Sequence, residues 1–248
     1  MARNKTLEKL LTDTRAEARL SLDPAHNVQT RDSHINLIQR EQERLWEDFA
    51  WPHLRVERFI PLQAGQRYYD TDAAVMEDGS APSQQIPIDR IEYIEVKSDG
   101  QWLPMETGIR AEHYAAHDSA LNERAWPPRR WKISENEDLE IWPIADSNAE
   151  ASDQYGYLRI TGIRALRPLA QAGDRADLDD RLITLYCAGA LLAAAGAKDA
   201  NIKLEAASRH YGRLKGSLSK TSDFNMFGTT LRPFRQRPYI SRYKPPVA

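Results

Sequence analysis

Two histidines four residues apart, His113 and His117, are the strongest metal candidate in the 248-residue chain, with Glu112 and Asp118 beside them. On a helix their rings would share one face, a spacing that a divalent cation can use. The order is not the H-E-x-x-H of zinc proteases, because Glu112 precedes both histidines and projects elsewhere. Exposed or hydrogen-bonding histidines account for the pair better than a metal does. Two acidic clusters, Glu135/Glu137/Asp138 and Asp174/Asp177/Asp179/Asp180, read as a hairpin turn and a helix start. A catalytic carboxylate pair needs a cleft and divergent pKa values, which neither pattern supplies. Cys187 is the only cysteine, which excludes internal disulfides and multi-cysteine zinc sites; within Leu185-Tyr186-Cys187-Ala188 it reads as a core residue. There is no Gly-rich phosphate loop, nucleophile elbow or zinc-ligand pattern. The expectation is a protein without catalytic residues, metal or cofactor, and therefore not an enzyme.

A second concentration of chemistry is of another kind. Residues 219–248 hold six basic side chains, Lys220, Arg232, Arg235, Arg237, Arg242 and Lys244, against Asp223 alone, a local charge of +5. Phe224, Phe227, Phe234, Tyr239 and Tyr243 are interleaved, with Pro233, Pro238, Pro245 and Pro246 between them. Each proline fixes φ and removes a donor, so no helical or strand period survives. The stretch reads as an extended arm that folds onto something else. The whole chain carries −2, so residues 1–218 carry −7. A modestly acidic body with a basic arm suits nucleic acid or an acidic surface on a neighbouring subunit. The body itself lacks the basic composition of a general nucleic-acid binder.

The elements that would present this arm follow from periodicity. Thr6 to Leu22 reads as an amphipathic helix, with Leu7, Leu10, Leu11, Ala18 and Leu22 near the helical period. Thr30 to Ala50 reads as a second, with Ile35, Ile38, Gln42, Leu45, Trp46 and Phe49 on one face, stopped by Trp51-Pro52. Alternation from Leu54 to Leu62 marks a strand. Ser98-Asp99-Gly100 sits between β-rich runs, and Glu135 to Asp138 separates Trp131–Ile133 from Leu139–Trp142; both are hairpin signals. Tyr157 to Gly162 adds a strand, and Ile109 to Ala120 a possible helix. Six tryptophans (46, 51, 102, 126, 131, 142) bracket or occupy this segment and suit core and interface packing. Leu182 to Ala197 is apolar almost all round and rich in Ala and Gly, a helix buried on most sides. Leu204, Ala207, Tyr211, Leu214 and Leu218 give the last helix, about Ala200 to Ser217, one narrow apolar seam. The expected class is α+β: an antiparallel helical bundle with an inserted small antiparallel β domain and an extended C-terminal arm. The expected boundaries are 1–53 for the first helical pair, 54–173 for the β-rich insertion, 174–218 for the closing helical hairpin and 219–248 for the arm.

The residues after the second helix carry a family resemblance. Trp51-Pro52-His53-Leu54, then Arg58-Phe59-Ile60-Pro61-Leu62, then Ala64-Gly65-Gln66-Arg67-Tyr68-Tyr69 resemble the head-to-tail adaptor proteins of tailed bacteriophages. Leu139-Glu140-Ile141-Trp142-Pro143 resembles a later strand of that group, and Asp179-Asp180-Arg181-Leu182-Ile183, with Leu185-Tyr186 and Ala188, the helical hairpin after it. The resemblance spans about residues 30–217. His53 departs from it, standing where many relatives carry an aromatic. The resemblance implies a virion protein that forms a ring, often of twelve copies, below the portal of the filled capsid. Such a ring extends the DNA channel and is the platform for tail or nozzle proteins. Its C-terminal segment would reach into the portal, making Arg232, Phe234, Arg235, Arg237, Tyr239, Arg242, Tyr243 and Lys244 the expected docking residues. Packaged DNA would pass through the channel without sequence-specific binding.

Three alternative readings remain: a nucleic-acid-binding protein using the arm as its basic segment, a metal-dependent hydrolase using His113, His117 and Glu112, and another tail-completion component. No signal peptide is visible and the longest apolar run, Ala188 to Ala197, falls short of the roughly 20 residues a membrane span needs. The expected location is the virion, assembled in a reducing host cytoplasm, with no membrane partner.

Overall fold

Thr6 opens the first helix, α1 (Leu7–Glu17), by accepting a hydrogen bond from the Lys9 amide through its side chain. The computed structural model describes residues 3–23, 29–117 and 123–218. Helix α1 is shorter than its pattern predicts. Arg19 adopts a left-handed φ of 57°, the conformation that ends helices, and Leu22 lies beyond it and exposed. Helix α2 (Arg31–Asp48) buries His34, Ile38, Gln42 and Leu45, one stripe at helical spacing. Helix α3 (Ala111–Ala116) is a single short piece of the expected Ile109–Ala120 helix, whose last residues lie outside the described ones. Helix α4 (Asp180–Ala194) starts at Asp179, whose Oδ1 accepts from the Leu182 amide at 3.0 Å. Helix α5 (Ala200–Leu218) follows after a turn in which Gly196 takes a φ of 67°.

Helix α4 is the centre of the helical part, in contact with α1, α2 and α5. The core it shares with them includes Leu7, Leu10, Ile38, Leu45, Trp51, Leu182, Ile183, Cys187 and Leu214. N-terminal and C-terminal stretches of the chain therefore build one hydrophobic interior. Burial pushes the Cys187 thiol well up, so it stays protonated and inert. Gly189 faces Leu204 and Tyr186 faces Ser208, which makes α4 and α5 an antiparallel hairpin. Their approach depends on the missing side chain: a Cβ on Gly189 would lie 2.6 Å from Leu204 Cδ2.

The strands are β1 (Arg55–Pro61), β2 (Tyr68–Tyr69), β3 (Ile91–Ser98), β4 (Gln101–Pro104), β5 (Glu106–Thr107), β6 (Arg130–Ile133), β7 (Leu139–Trp142) and β8 (Tyr157–Ile163). They form two four-stranded sheets, in the orders β1-β8-β3-β4 and β2-β7-β6-β5. Asp99 and Gly100, both at positive φ, close the two-residue β3–β4 hairpin with Ser98 opposite Gln101. The β6–β7 hairpin turns through Glu137 at a φ of 66°. A core of Ile60, Ile94, Val96, Leu158 and Ile160 from the first sheet and Tyr69, Trp131, Leu139 and Ile141 from the second joins the two.

The class is α+β with antiparallel sheets, as the periodicity indicates. One pair departs from the antiparallel expectation: β5 runs parallel to β6. The chain leaves the first sheet at Pro104 and enters the second at Glu106, and the crossover through α3 then permits a parallel return. Among the described residues no helix is long and apolar enough to cross a membrane.

The Gly189 contact yields a paired prediction. Gly189→Val should destabilise the fold by about 1–3 kcal/mol through overpacking against Leu204. Gly212→Ala, at an α5 position with open space around it, should stabilise by about 0.5–1 kcal/mol. Urea unfolding of the two variants against the parent measures both.

Candidate functional site

The expected docking residues Arg232 to Lys244 lie outside the described residues, but the point from which their segment departs is described. Helix α5 ends at Leu218, and its last turns are fixed to the end of α2. Tyr211 donates its hydroxyl to Asp48, and Lys215 Nζ lies 3.0 Å from Asp48 Oδ2. The Lys215 ammonium also sits 4.3 Å from the Tyr211 ring centre and 5.6 Å from that of Phe49. Lys215, three residues before the end of α5, and Tyr211 are thereby held at the end of α2, next to the Trp51-Pro52 element.

That element is the joint between helices and sheets. Pro52 begins a single 3-10 turn, Pro52–Leu54, that feeds directly into β1. Trp51 is fully buried; its indole donates to the Leu45 carbonyl at 2.8 Å and meets Phe49 edge-on at 5.2 Å. His53 Nε2 is 2.9 Å from the Asp177 carbonyl oxygen. From the sheet side, Arg90 reaches the end of α2, donating to the Glu47 carbonyl at 2.9 Å and lying over the Trp46 ring. α2 has no basic residue in its own last turn, so Arg90 and Lys215 supply the positive charge its C-terminus favours.

Asp177 sits at the centre of this joint. Its buried carboxylate accepts from Arg164 (2.6 and 3.2 Å), from Arg167 Nε and Nη2 (2.9 and 2.7 Å) and from the Arg167 amide (2.8 Å). Its own amide donates to Gln42 Oε1 on α2 at 3.3 Å. Arg164 follows β8 and is itself held twice more: its amide donates to the Leu54 carbonyl at 3.0 Å, and its carbonyl accepts from the Trp46 indole at 3.1 Å. Burial alone would raise the Asp177 carboxyl; the hydrogen bonds from Arg164 and Arg167 outweigh it and hold the group below the usual carboxylate range.

The two quoted strand motifs meet in a second charged cluster. Tyr68 and Tyr69 of β2 pair with Glu140 and Leu139 of β7. Glu140, almost fully buried, accepts from Arg67 Nε and Nη2 (2.8 and 2.6 Å) and from the Tyr114 hydroxyl (2.7 Å), with Lys132 Nζ 3.1 Å away. The Arg67 guanidinium lies 5.0–5.2 Å from the rings of Tyr68, Tyr114 and Trp142. Burial again opposes, and Tyr114, Arg67 and Lys132 overcome it, keeping Glu140 ionised. The cluster locks the Gly-Gln-Arg-Tyr-Tyr turn onto the second sheet.

The sequence candidates for chemistry fall into structural roles. His113 Nδ1 accepts from the Arg110 amide at 2.9 Å and caps α3, while its carbonyl takes the Trp142 indole at 2.7 Å. His117 follows the end of α3 in extended backbone, so the two rings do not share a helical face. Among the described residues no group of three or more His, Cys, Asp or Glu is placed to hold a metal ion. Glu135, Glu137 and Asp138 belong to the β6–β7 turn, where the Ser134 amide bonds the Asp138 carbonyl at 2.8 Å. Within the second acidic cluster, Asp179 caps α4 as expected, and Asp174 accepts the Ala170 and Gln171 amides in its loop. Asp177 does not act at the helix start; it is the counter-ion of the joint. Sequence reading missed Arg164, Arg167 and the role of Glu140. A charged residue between Leu139 and Ile141 on a buried strand was the available signal.

Asp177 and Glu140 both have depressed carboxyls, so their contribution to stability is complete above about pH 5, where the unfolded carboxyls are ionised too, and is lost as pH falls through the unfolded and then the lower folded values. Asp177→Asn should cost about 3–5 kcal/mol at pH 7, because two guanidinium groups then lack their buried counter-ion. The variant should also lose part of the parent's acid sensitivity below pH 4. Thermal unfolding from pH 2 to pH 7 checks both.

No curated protein matches the chain. The SU10 adaptor protein family matches residues 6–237, nearly the whole chain, including the helices on both sides of the strands and the basic segment as far as Arg237. An adaptor is a structural class rather than an enzymatic one. The match covers the joint and both charged clusters, and the chain belongs to the SU10 adaptor protein family, the phage head-to-tail adaptors.

Proposed function

We propose that the protein is the ring-forming adaptor beneath the portal of the filled capsid, where it extends the DNA channel and provides the platform for tail or nozzle proteins. The observation that carries this reading is that the family match continues past Leu218 to Arg237. The match takes in the first part of the basic, aromatic segment, with Arg232, Phe234, Arg235 and Arg237, and the chemistry of the whole segment suits a docking element. Phe234, Tyr239 and Tyr243 act as aromatic anchors, while Arg232, Arg235, Arg237, Arg242 and Lys244 pair with acidic groups on the portal. A twelve-copy ring is the expected assembly. In this reading residues 1–53 and 174–218 form the helical bundle, 54–173 the inserted β-rich domain and 219–248 the arm. Helices α1, α2 and α5, disposed around α4, supply lateral faces to neighbouring copies.

Because the segment engages the portal only once a portal is present, assembly can be sequential. The free subunit stays monomeric and the ring closes on the portal. DNA then passes through the channel without sequence-specific contacts.

Deleting residues 219–248 should abolish attachment to portal-bearing capsids while the far-ultraviolet circular dichroism of the body is retained. Normal attachment of the truncated chain would overturn the docking role. Electron microscopy of the full-length protein, alone and mixed with portal, should show rings only in the mixture.

A further inference from the structure

Charge is divided unevenly along the chain. Residues 55–163 hold twenty acidic side chains against eleven basic ones, a net −9, whereas 1–54 and 164–218 together carry +2. The acidity of the body therefore belongs to its strand-bearing region, and the +5 of residues 219–248 has a complement within the same chain.

Within that region one surface has the matching chemistry. Trp126 and Tyr155 are half-buried rings with centroids 4.9 Å apart and planes 32° from each other. The Trp126 indole donates to Ser98 Oγ at 3.0 Å, next to Asp99 in the β3–β4 turn. The Glu150 amide donates to the Tyr155 carbonyl at 2.8 Å, and the Tyr155 amide to Asp153 Oδ1 at 2.9 Å. Asp99, Asp146, Glu150 and Asp153 are all exposed around the ring pair. Burial and then the charges of Asp99, Asp146 and Glu150 raise the Tyr155 phenol, whereas the Ser147 hydrogen bond opposes them. Of the nearby cations, Lys97 is engaged by Gln154 (3.3 Å) and the Trp102 ring, and Arg124 lies against Gly65.

An aromatic pair rimmed by carboxylates is the chemistry that takes a proline- and arginine-rich strand: rings receive prolines and guanidinium faces, and carboxylates pair the charges. The sequence Arg232-Pro233-Phe234-Arg235-Gln236-Arg237-Pro238 has that composition. The span is available. Leu62, seven residues beyond Arg55 at the joint, bonds Gly156 and Ala149 beside the ring pair, about 23 Å along β1. Arg232 lies fourteen residues beyond Leu218, enough for about 45 Å of extended chain.

We propose that residues 232–244 of the free subunit lie in cis on the Trp126–Tyr155 surface, with their guanidinium groups toward Asp99, Asp146 and Glu150, until another partner takes the segment. This uses the same segment as the portal-docking reading but needs no portal, so the two stand or fall in different experiments. In the intact free protein, trypsin should cut slowly after Arg235 and Arg242; the other arm arginines and Lys244 precede proline. Asp99→Asn/Asp146→Asn/Glu150→Gln should speed both cuts about tenfold at low salt, and added salt should speed them in the parent. Asp99 already has a left-handed φ that asparagine accepts, and unchanged melting would confirm an intact fold. The same neutralisation at Glu135, Glu137 and Asp138 should leave the cuts unchanged. Equal rates in the parent and both variants would overturn the proposal, as would protection that depends on protein concentration, which would place the segment on another copy.

Discussion

The carboxylate of Asp177 is the constraint on which the rest of the structure depends. It is buried where the last strand returns to the helices, and two guanidinium groups make its charge tolerable there. A buried ion pair of this kind adds little net stability over an apolar filling, but removing one partner leaves an uncompensated buried charge. Asp177 therefore fixes Arg164 after β8 and Gln42 on α2, while its carbonyl fixes His53 before β1. The strand-bearing region leaves and re-enters the helical part through these residues.

The same logic recurs at Glu140, on a smaller scale. Most of the strand-bearing core is aliphatic. Arg67, Tyr114 and Lys132 converge on one buried carboxylate and so tie the turn before β2, helix α3 and β6 to β7. Apolar burial supplies the driving force, and the two charged clusters decide which packing it stabilises. Leu158 and Ile160 face the β core while Ile163, three residues on, belongs to the helical one, so β8 links both interiors.

Much of this was legible in the sequence, for identifiable reasons. The spacing of Ile38, Gln42 and Leu45 and the stop at Trp51-Pro52 define α2, because helical periodicity and a proline are local signals. Asp99-Gly100 defines its hairpin for the same reason. The parallel β5–β6 pair was not legible, since two-residue strands have no periodicity and their direction depends on a crossover. The end of α1 was overrun because Leu22 fits the period, although Arg19 has already left the helix. Asp177 was assigned to the helix start by its neighbours in sequence, Asp179 and Asp180, whereas its partners Arg164 and Arg167 are tertiary. The expected docking residues are legible only as chemistry: their types point to a partner, and the partner's surface is not in this chain's local pattern.

Native-state hydrogen exchange on the intact protein tests the central claim most directly. The relevant amides are Arg164, bonded to the Leu54 carbonyl after β8, and Leu182 and Ile183 in the first turn of α4. If the joint binds both parts into one cooperative unit, these amides exchange through a single opening with one free energy and one denaturant dependence. Exchange at Arg164 through a low-energy local opening, while Leu182 and Ile183 stay protected to the global limit, would contradict the account.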